Sequence, residues 1–101
     1  MKYNLTKLDF PICLKSSKSL VAGDLFFWYC YYTAPKLGIS VSKSYGKAHD
    51  RNLFKRRCRS LFKNMSFIHQ NICIIVKPRR KLLAYSQLLS SFNKFESIIN
   101  D

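Results

Sequence analysis

The chain has 101 residues, of which 48% are hydrophobic, so it holds enough apolar material for one small folded domain. That composition argues against a disordered basic tail. Lysine and arginine number 18 against 5 acidic residues, which gives a formal net charge of +13. Because like charges repel one another in a compact fold, we expect a polyanionic partner, and nucleic acid is favoured over an anionic membrane surface.

Membrane insertion and secretion have little support in the sequence. The longest apolar run, from Leu25 to Ala34, is about half of the roughly 20 residues that a membrane-spanning helix needs. The N-terminal stretch has no apolar segment of signal-peptide length followed by a small-residue cleavage site. We therefore expect a cytosolic protein with no membrane partner, folded as a single domain over residues 1–101.

The cysteines and histidines do not have the spacing that is typical of a metal-binding site. The four cysteines stand at positions 13, 30, 58 and 73, and no two form a CxxC pair. His49 and His69 are isolated from each other as well. In a reducing cytosol, cysteines without such spacing are usually small apolar residues, so we expect several of them in the core and no metal bound by the protein.

The N-terminal part of the chain is predicted to contain one short helix between a frayed segment and a loop. Residues Met1–Lys7 are polar and are expected to fray. Asp9 can cap a helix, and Pro11 fits its first turn, so a short helix is predicted over Asp9–Lys15. The serine-rich stretch Ser16–Ser19 is predicted to be a loop.

The aromatic stretch Leu20–Thr33 has the composition of β-strands, with Gly23-Asp24 as a bulge or a break between two strands. Both of its alternating sets of side chains are apolar. One set faces the core, and the other either is covered as well or forms an aromatic platform for unpaired bases. The pattern leaves open which set is which: Phe26, Trp28, Cys30 and Tyr32, or Leu25, Phe27, Tyr29 and Tyr31.

A turn at Ala34-Pro35 predicts that the next strand, Leu37–Ser42, returns antiparallel as a hairpin. Apolar and small side chains alternate along this strand with a period of two. The small set leaves room for the backbone of a ligand to approach the sheet, and it consists of Gly38, Ser40 and Ser42.

A basic helix is predicted over Ala48–Asn64. At helical spacing its core stripe contains Phe54, Cys58, Leu61, Phe62 and Met65. The opposite side contains Asn52, Lys55, Arg56, Arg59 and Lys63. A solvated charged face normally mixes signs, yet no acid occurs between Asp50 and Glu96. The pattern therefore predicts a phosphate-binding face.

The C-terminal part supplies one more strand and one more helix. The run Ile72–Val76 is apolar throughout, as in a central strand covered on both faces, and the cation-rich stretch Lys77–Lys81 ends it. A final helix is predicted over Leu82–Asn100 with an apolar cluster of Leu88, Leu89, Phe92 and Phe95. The order of elements indicates an α+β sandwich with three helices and a mixed sheet of about four strands.

The segment GKAHDRNLFKRRCR resembles the signature of the bacterial ribonuclease P protein subunit: Arg-Asn, two variable residues, Lys-Arg, two variable residues and Arg. The preceding LGISVSKSYGKA resembles the strand and turn of that family, and the two stretches run on without a gap from Leu37 to Phe62. Asp9-Phe10 and the IIVKP of residues 74–78 resemble the family more weakly on either side.

This resemblance implies a single α/β sandwich with a left-handed βαβ crossover. It also implies a protein that assists a catalytic RNA subunit in removing the 5′ leader of precursor tRNA, while the RNA holds the active site and its Mg²⁺. By position, the RNA-binding set becomes Arg51, Asn52, Lys55, Arg56 and Arg59, to which we add Lys43 and Lys63. The cleft for the leader falls at Phe10, Leu14 and Trp28, beside Ser40 and Ser42.

Three departures from the family pattern affect the leader contacts. Pro11 is unusual in that helix, and Leu14 stands where an aromatic is common. The basic N-terminal stretch is thin, with Lys2 and Lys7 only. With only five acids and no Ser/His/Asp set in the sequence, a protein-based nuclease is improbable, which suits chemistry performed by RNA. No obligate protein partner is expected. The alternatives are a ribosomal-type RNA-scaffolding protein and a DNA-binding regulator that uses the basic helix.

Overall fold

The computed structural model describes residues 4–6, 9–65 and 71–100, without the side chain of Asp9. Three helices and four strands follow one another, with a short 3₁₀ turn at Lys43–Tyr45 before the second helix. In chain order they are α1 (Asp9–Ser16), β1 (Lys18–Ala22), β2 (Leu25–Tyr31), β3 (Lys36–Ile39), α2 (Ala48–Asn64), β4 (Ile72–Pro78) and α3 (Tyr85–Ile99).

The strands form one mixed sheet in the order β1-β2-β4-β3. β1 and β2 are an antiparallel hairpin that turns at Gly23-Asp24, where Gly23 has a φ of 59°, a conformation that glycine adopts without steric cost. β4 pairs antiparallel with β2 and parallel with β3, and α2 connects the two parallel strands. The predicted α+β class, with three helices and four strands, is confirmed.

The predicted hairpin between β2 and β3 is wrong. The chain does reverse after Tyr31, but β4 lies between the two strands and pairs with both of them. β4 is apolar on both faces, and residues 72–76 are all buried. Such a strand gains most from a central position, where neighbours on both sides satisfy its backbone and both faces are covered.

The structure shows which of the two alternating sets of β2 side chains faces the main core. Leu25 and Phe27 are fully buried on the face covered by α2 and α3, and the Phe27 ring stacks on Phe95 at 4.2 Å. Trp28 and Cys30 point to the opposite face, where they pack with residues of α1. The set that contains Leu25 and Phe27 therefore belongs to the main core, and the set that contains Trp28 and Cys30 lies under α1.

The main core also confirms the predicted stripe of α2. Phe54, Cys58, Leu61 and Phe62 are buried, and Met65 packs against them while partly exposed. In α3, Leu88, Phe92 and Phe95 of the predicted apolar cluster are buried, but Leu89 is 36% exposed and lies outside the buried part of that cluster. Leu89 follows Leu88 by one residue, a rotation of about 100°, which carries it off the buried face.

Several predicted boundaries change. Of the predicted loop Ser16–Ser19, only Ser17 separates α1 from β1. The last helix begins at Tyr85 rather than Leu82, whose φ of 53° lies outside the helical region. The third strand stops at Ile39 rather than Ser42. The predicted cap by Asp9 concerns a side chain outside those described.

Residues 4–6 of the N-terminal segment, for which fraying was predicted, contact the edge of the sheet, and the rest of Met1–Lys7 lies outside the described residues. Asn4 forms a parallel bridge with Leu37, and the backbone N–H of Leu5 donates to the Leu37 carbonyl at 3.0 Å. The segment thereby satisfies backbone groups at the free edge of β3. Across the described ranges, no helix has the length and apolar character needed to cross a membrane.

Candidate nucleic-acid interface

A groove of about 440 Å³ lies where the N-terminal segment, the start of α1, β3 and α2 meet. Its apolar side is formed by Leu5, Phe10 and Pro11 with the edge strand β3, and its cationic side by Lys55 and Arg59 of α2. The full lining is Asn4, Leu5, Thr6, Phe10, Pro11, Leu37, Gly38, Ile39, Lys55 and Arg59. A groove with one apolar wall and one cationic wall suits a ligand that has both a flat ring and a phosphate.

Gly38 lies at the bottom of the groove, where there is no space for a larger side chain. A Cβ at this position would lie 2.9 Å from Cε2 of Phe10 and 3.0 Å from Cδ2 of Leu5. Glycine therefore lets the N-terminal segment and α1 pack directly on the sheet. The room that the small residues of this strand were expected to leave for a ligand is filled at Gly38 by the protein's own side chains.

The start of α2 is held by its only acidic residue. Asp50 Oδ2 accepts a hydrogen bond from the backbone N–H of Lys47, the residue that caps the helix, at 3.0 Å. A carboxylate in the first turn also interacts favourably with the positive end of the helix dipole. This local arrangement orients the cationic face that follows.

Lys55 and Arg59 are one helical turn apart and line the groove together. Nε of Arg59 is buried and has no hydrogen-bond partner. An orphaned guanidinium nitrogen costs free energy, on the order of 1–3 kcal/mol or more for a charged group. An anionic ligand would recover this cost once the side chain rotates to expose the nitrogen. A phosphate oxygen is the acceptor that best suits a guanidinium fork.

The other predicted RNA-binding residues divide into two sets. Asn52, Arg56 and Lys63 are exposed on α2, and Lys43 is exposed in the 3₁₀ turn that precedes it. Arg51 is half-buried, and its guanidinium donates to the Gly46 carbonyl at 3.4 Å, so it also braces the turn before the helix. Arg57, which is outside the predicted set, has its guanidinium carbon 5.9 Å from the ring centre of Tyr85.

The predicted leader-cleft residues are not all in the groove. Phe10 lines it, whereas Trp28 packs beneath α1 against the smaller apolar cluster and remains partly exposed. Leu14 is 42% exposed and adjoins a separate shallow depression beside Pro11 and Ile12. Ser40 and Ser42 lie beyond the end of β3 and are exposed.

Three lining residues, Asn4, Leu5 and Thr6, were missed because the N-terminal segment was expected to fray. The signal that could have found them is weak: Leu5 is an isolated apolar residue in a polar stretch. Its side chain matters only because β3 offers a free edge to which the segment binds. That edge could not be predicted while β3 was assigned to a hairpin with β2.

The described acidic side chains are engaged in structural contacts. Asp24 forms an ion pair with Nε of Arg80 at 3.2 Å and accepts from Gln87, while Asp50 caps α2. Among the described residues, the only group of three or more potential metal ligands is formed by thiols, which are poor ligands for Mg²⁺. This part of the chain therefore provides no carboxylate site for Mg²⁺.

The chain matches the family model described as Ribonuclease P over residues 5–99. It is 45% identical over 71 residues to the ribonuclease P protein component of Phytoplasma australiense, an alignment that covers 64% of this chain and 59% of that protein. With the ribonuclease P protein component of Onion yellows phytoplasma it shares 37% identity over 101 residues, which covers 93% of this chain and 72% of that one.

Among solved structures, a mutant of the Staphylococcus aureus RNase P protein with defective mRNA degradation activity superposes with a TM-score of 0.82. The two chains are 30% identical, and the match covers 98% of this chain and 89% of the other. Sequence and three-dimensional structure thus point to the same group of proteins.

Proposed function

Because this chain belongs to the ribonuclease P protein family, we propose that it is the protein subunit of a ribonuclease P that removes the 5′ leader of precursor tRNA. Its partners are the catalytic RNA subunit and the precursor tRNA. The exposed cations of α2 bind the phosphates of the catalytic RNA, and the groove beside α1 holds single-stranded nucleotides of the leader.

The match to the ribonuclease P family model over residues 5–99 is the single observation that carries this proposal, and the orphaned Arg59 nitrogen supports the groove as the site for the leader. The Arg59 side chain lines a groove that is also lined by the partly buried ring of Phe10. A nucleotide of an unpaired strand can place its base against that ring and its phosphate against the guanidinium and Lys55. Duplex nucleic acid has its bases paired and stacked, so it cannot offer both groups to one narrow groove.

The protein assists the reaction without performing its chemistry in this proposal. Mg²⁺ acts in the assembled enzyme and is held mainly by the RNA, where it can activate water and stabilise the leaving oxygen. The cations of the protein lower the electrostatic repulsion between two RNA molecules, and so they reduce the concentration of Mg²⁺ that assembly and cleavage require. The cytosol is the proposed location, because precursor tRNA is processed there in bacteria.

Reconstitution tests this function. The purified chain alone should leave a precursor tRNA intact, whereas together with a bacterial ribonuclease P RNA it should allow leader removal at a Mg²⁺ concentration at which that RNA alone is nearly inactive. Catalytic RNA with an unrelated small basic protein of similar charge is the control. Lack of stimulation across a full Mg²⁺ titration, with binding of the RNA demonstrated, would contradict the proposal and favour a role in RNA scaffolding.

A further inference from the structure

Three of the four cysteines, far apart in sequence, meet between α1 and the sheet. The Sγ atoms of Cys13, Cys30 and Cys73 all lie within 4.8 Å of one another. Each comes from a different element: Cys13 from α1, Cys30 from β2 and Cys73 from β4. Cys30 and Cys73 are direct partners in the antiparallel register, so their side chains leave the same face of the sheet side by side.

The cluster is enclosed but can be reached from outside. Cys13 and Cys73 are about 1% exposed, their sulfur atoms are 2.8 Å apart, and Cys30 is only partly buried. Trp28 and Tyr32 pack around the three thiols. Convergent sulfur atoms in an apolar shell, with one ligand at the rim, provide both the donor set and the entry path of a metal site.

We propose that Cys13, Cys30 and Cys73 form a binding site for one thiophilic d¹⁰ metal ion, such as Zn²⁺ or Cu⁺. Three thiolates complete a trigonal site for Cu⁺ and leave a fourth position open to solvent for Zn²⁺. Since a Zn–S bond is about 2.3 Å long, two sulfurs of such a site stand about 3.8 Å apart, and binding requires Cys13 and Cys73 to separate by about 1 Å. Side-chain rotation can supply that movement.

Protonation of the thiols does not prevent binding. Burial, followed by the hydrogen bond with Cys13, raises the pKa of Cys73, and burial raises the pKa of Cys30, so these two thiols are protonated near neutral pH when no metal is bound. A coordinating metal ion deprotonates its thiol ligands outright. The net charge of +13 on the chain favours the anionic complex that results.

The ion would clamp α1 onto the sheet. Cys13 is the only fully buried side chain among the described side chains of α1, and Ile12 and Leu14 on the same helix are 58% and 42% exposed. The same helix contributes Phe10 and Pro11 to the groove. Metal binding therefore holds one wall of the groove in place, and this inference does not depend on which RNA the groove binds.

Native mass spectrometry of the full chain in a phosphine reductant tests the site. One equivalent of Zn²⁺, or in a second arm of Cu⁺, should remain bound as a single ion per chain, and it should slow the alkylation of Cys30, the one partly exposed thiol of the three, relative to the metal-free chain. Retention of either ion supports the site, and the tighter of the two identifies its preferred metal. A chain that retains neither ion, or that shows a Cys13–Cys73 disulfide in place of bound metal, would overturn the proposal.

Matched variants separate this site from general thiol binding. Cys30→Ala alters the least buried of the three ligands and should weaken binding by at least roughly tenfold. Cys58→Ala removes a buried thiol of the main core and should leave binding unchanged. Equal affinity of the Cys30→Ala variant and the wild type would also overturn the proposal. Circular dichroism checks that both variants fold.

Hydrogen exchange offers a second readout on the unmodified chain. Bound metal should slow exchange at the backbone amides of residues 13–16 of α1, while the amides of α3 stay unchanged. Equal slowing in both helices would mean general stabilisation of the fold and would argue against a clamp on α1.

Discussion

The two faces of the sheet differ greatly in how many residues are buried on them. On one face, α2 and α3 close a core of sixteen buried residues among those described. On the other, α1 covers a cluster in which three residues are buried, and Leu5, Phe10, Trp28, Cys30 and Tyr32 are only partly so. The first face holds the fold together, and the second leaves aromatic side chains and a groove within reach of a ligand.

This asymmetry explains how a small domain can bind RNA without weakening its core. Functional groups on a thinly covered face can be exposed or rearranged at little cost, because most of the apolar burial lies elsewhere. α2 takes part in both regions: its apolar stripe completes the main core, while Lys55 and Arg59 form the cationic wall of the groove. Substitutions on the two faces should therefore have separable effects.

The largest effect is expected in the main core. Phe27→Ala removes a ring that stacks on Phe95 and meets Phe92 edge-on, and it should lower the free energy of unfolding by about 3–5 kcal/mol. Phe26→Ala is the matched control, because it removes a partly exposed ring from the next position, on the other face. Urea unfolding measures both, and equal losses would contradict the difference between the faces.

At the groove, Arg59→Ala should leave the fold stable but weaken binding of RNA by about 1.5–3 kcal/mol, because hydrogen bonds to a charged group are lost. The slope of log affinity against log salt should fall by about 0.7–0.9, equivalent to one phosphate contact. Lys94→Ala makes the same change of charge at an exposed position on α3. If both variants reduced the slope equally, Arg59 would contribute only general charge.

Trp28→Ala tests the aromatic side chains under α1. If Trp28 stacks on a base of the leader, precursor tRNA should lose roughly 1–3 kcal/mol of binding free energy while mature tRNA loses little. Binding of the two RNAs is compared at matched salt. Equal losses for both would make Trp28 a packing residue of the smaller cluster.

The smallest effect is expected on the outer side of α3. Leu89→Ala should change the free energy of unfolding by less than about 0.5 kcal/mol, since its side chain is already exposed. Leu88→Ala, one residue away and fully buried, should cost about 2–5 kcal/mol. Thermal or urea unfolding of the two variants compares them directly, and a large loss for Leu89→Ala would place it in the core after all.

Local patterns were sufficient for much of this protein. The bounds of α2, Ala48–Asn64, and its apolar stripe follow from helical periodicity, and the predicted start of α1 at Asp9 agrees with the structure. The central place of Ile72–Val76 follows from a run that is apolar on both faces. The family signature lies within the continuous stretch from Leu37 in β3 to Phe62 in α2, so it too can be read along the chain.

Contacts between segments that are distant in sequence could not be predicted from local patterns. The order of strands depends on β4, which enters between β2 and β3 from more than thirty residues further along the chain. The choice of the inner face of β2, the binding of Asn4–Thr6 to the edge of β3 and the groove beside α1 all depend on that order.

The cysteines show the same limit most clearly. Their spacing argued against a metal site, yet Cys13, Cys30 and Cys73 converge because a helix packs over two paired strands. Periodicity reports which face of one element is apolar, and it is a property of neighbours in sequence. Which faces meet is decided by the packing of whole elements, so this thiol cluster becomes visible only in three dimensions.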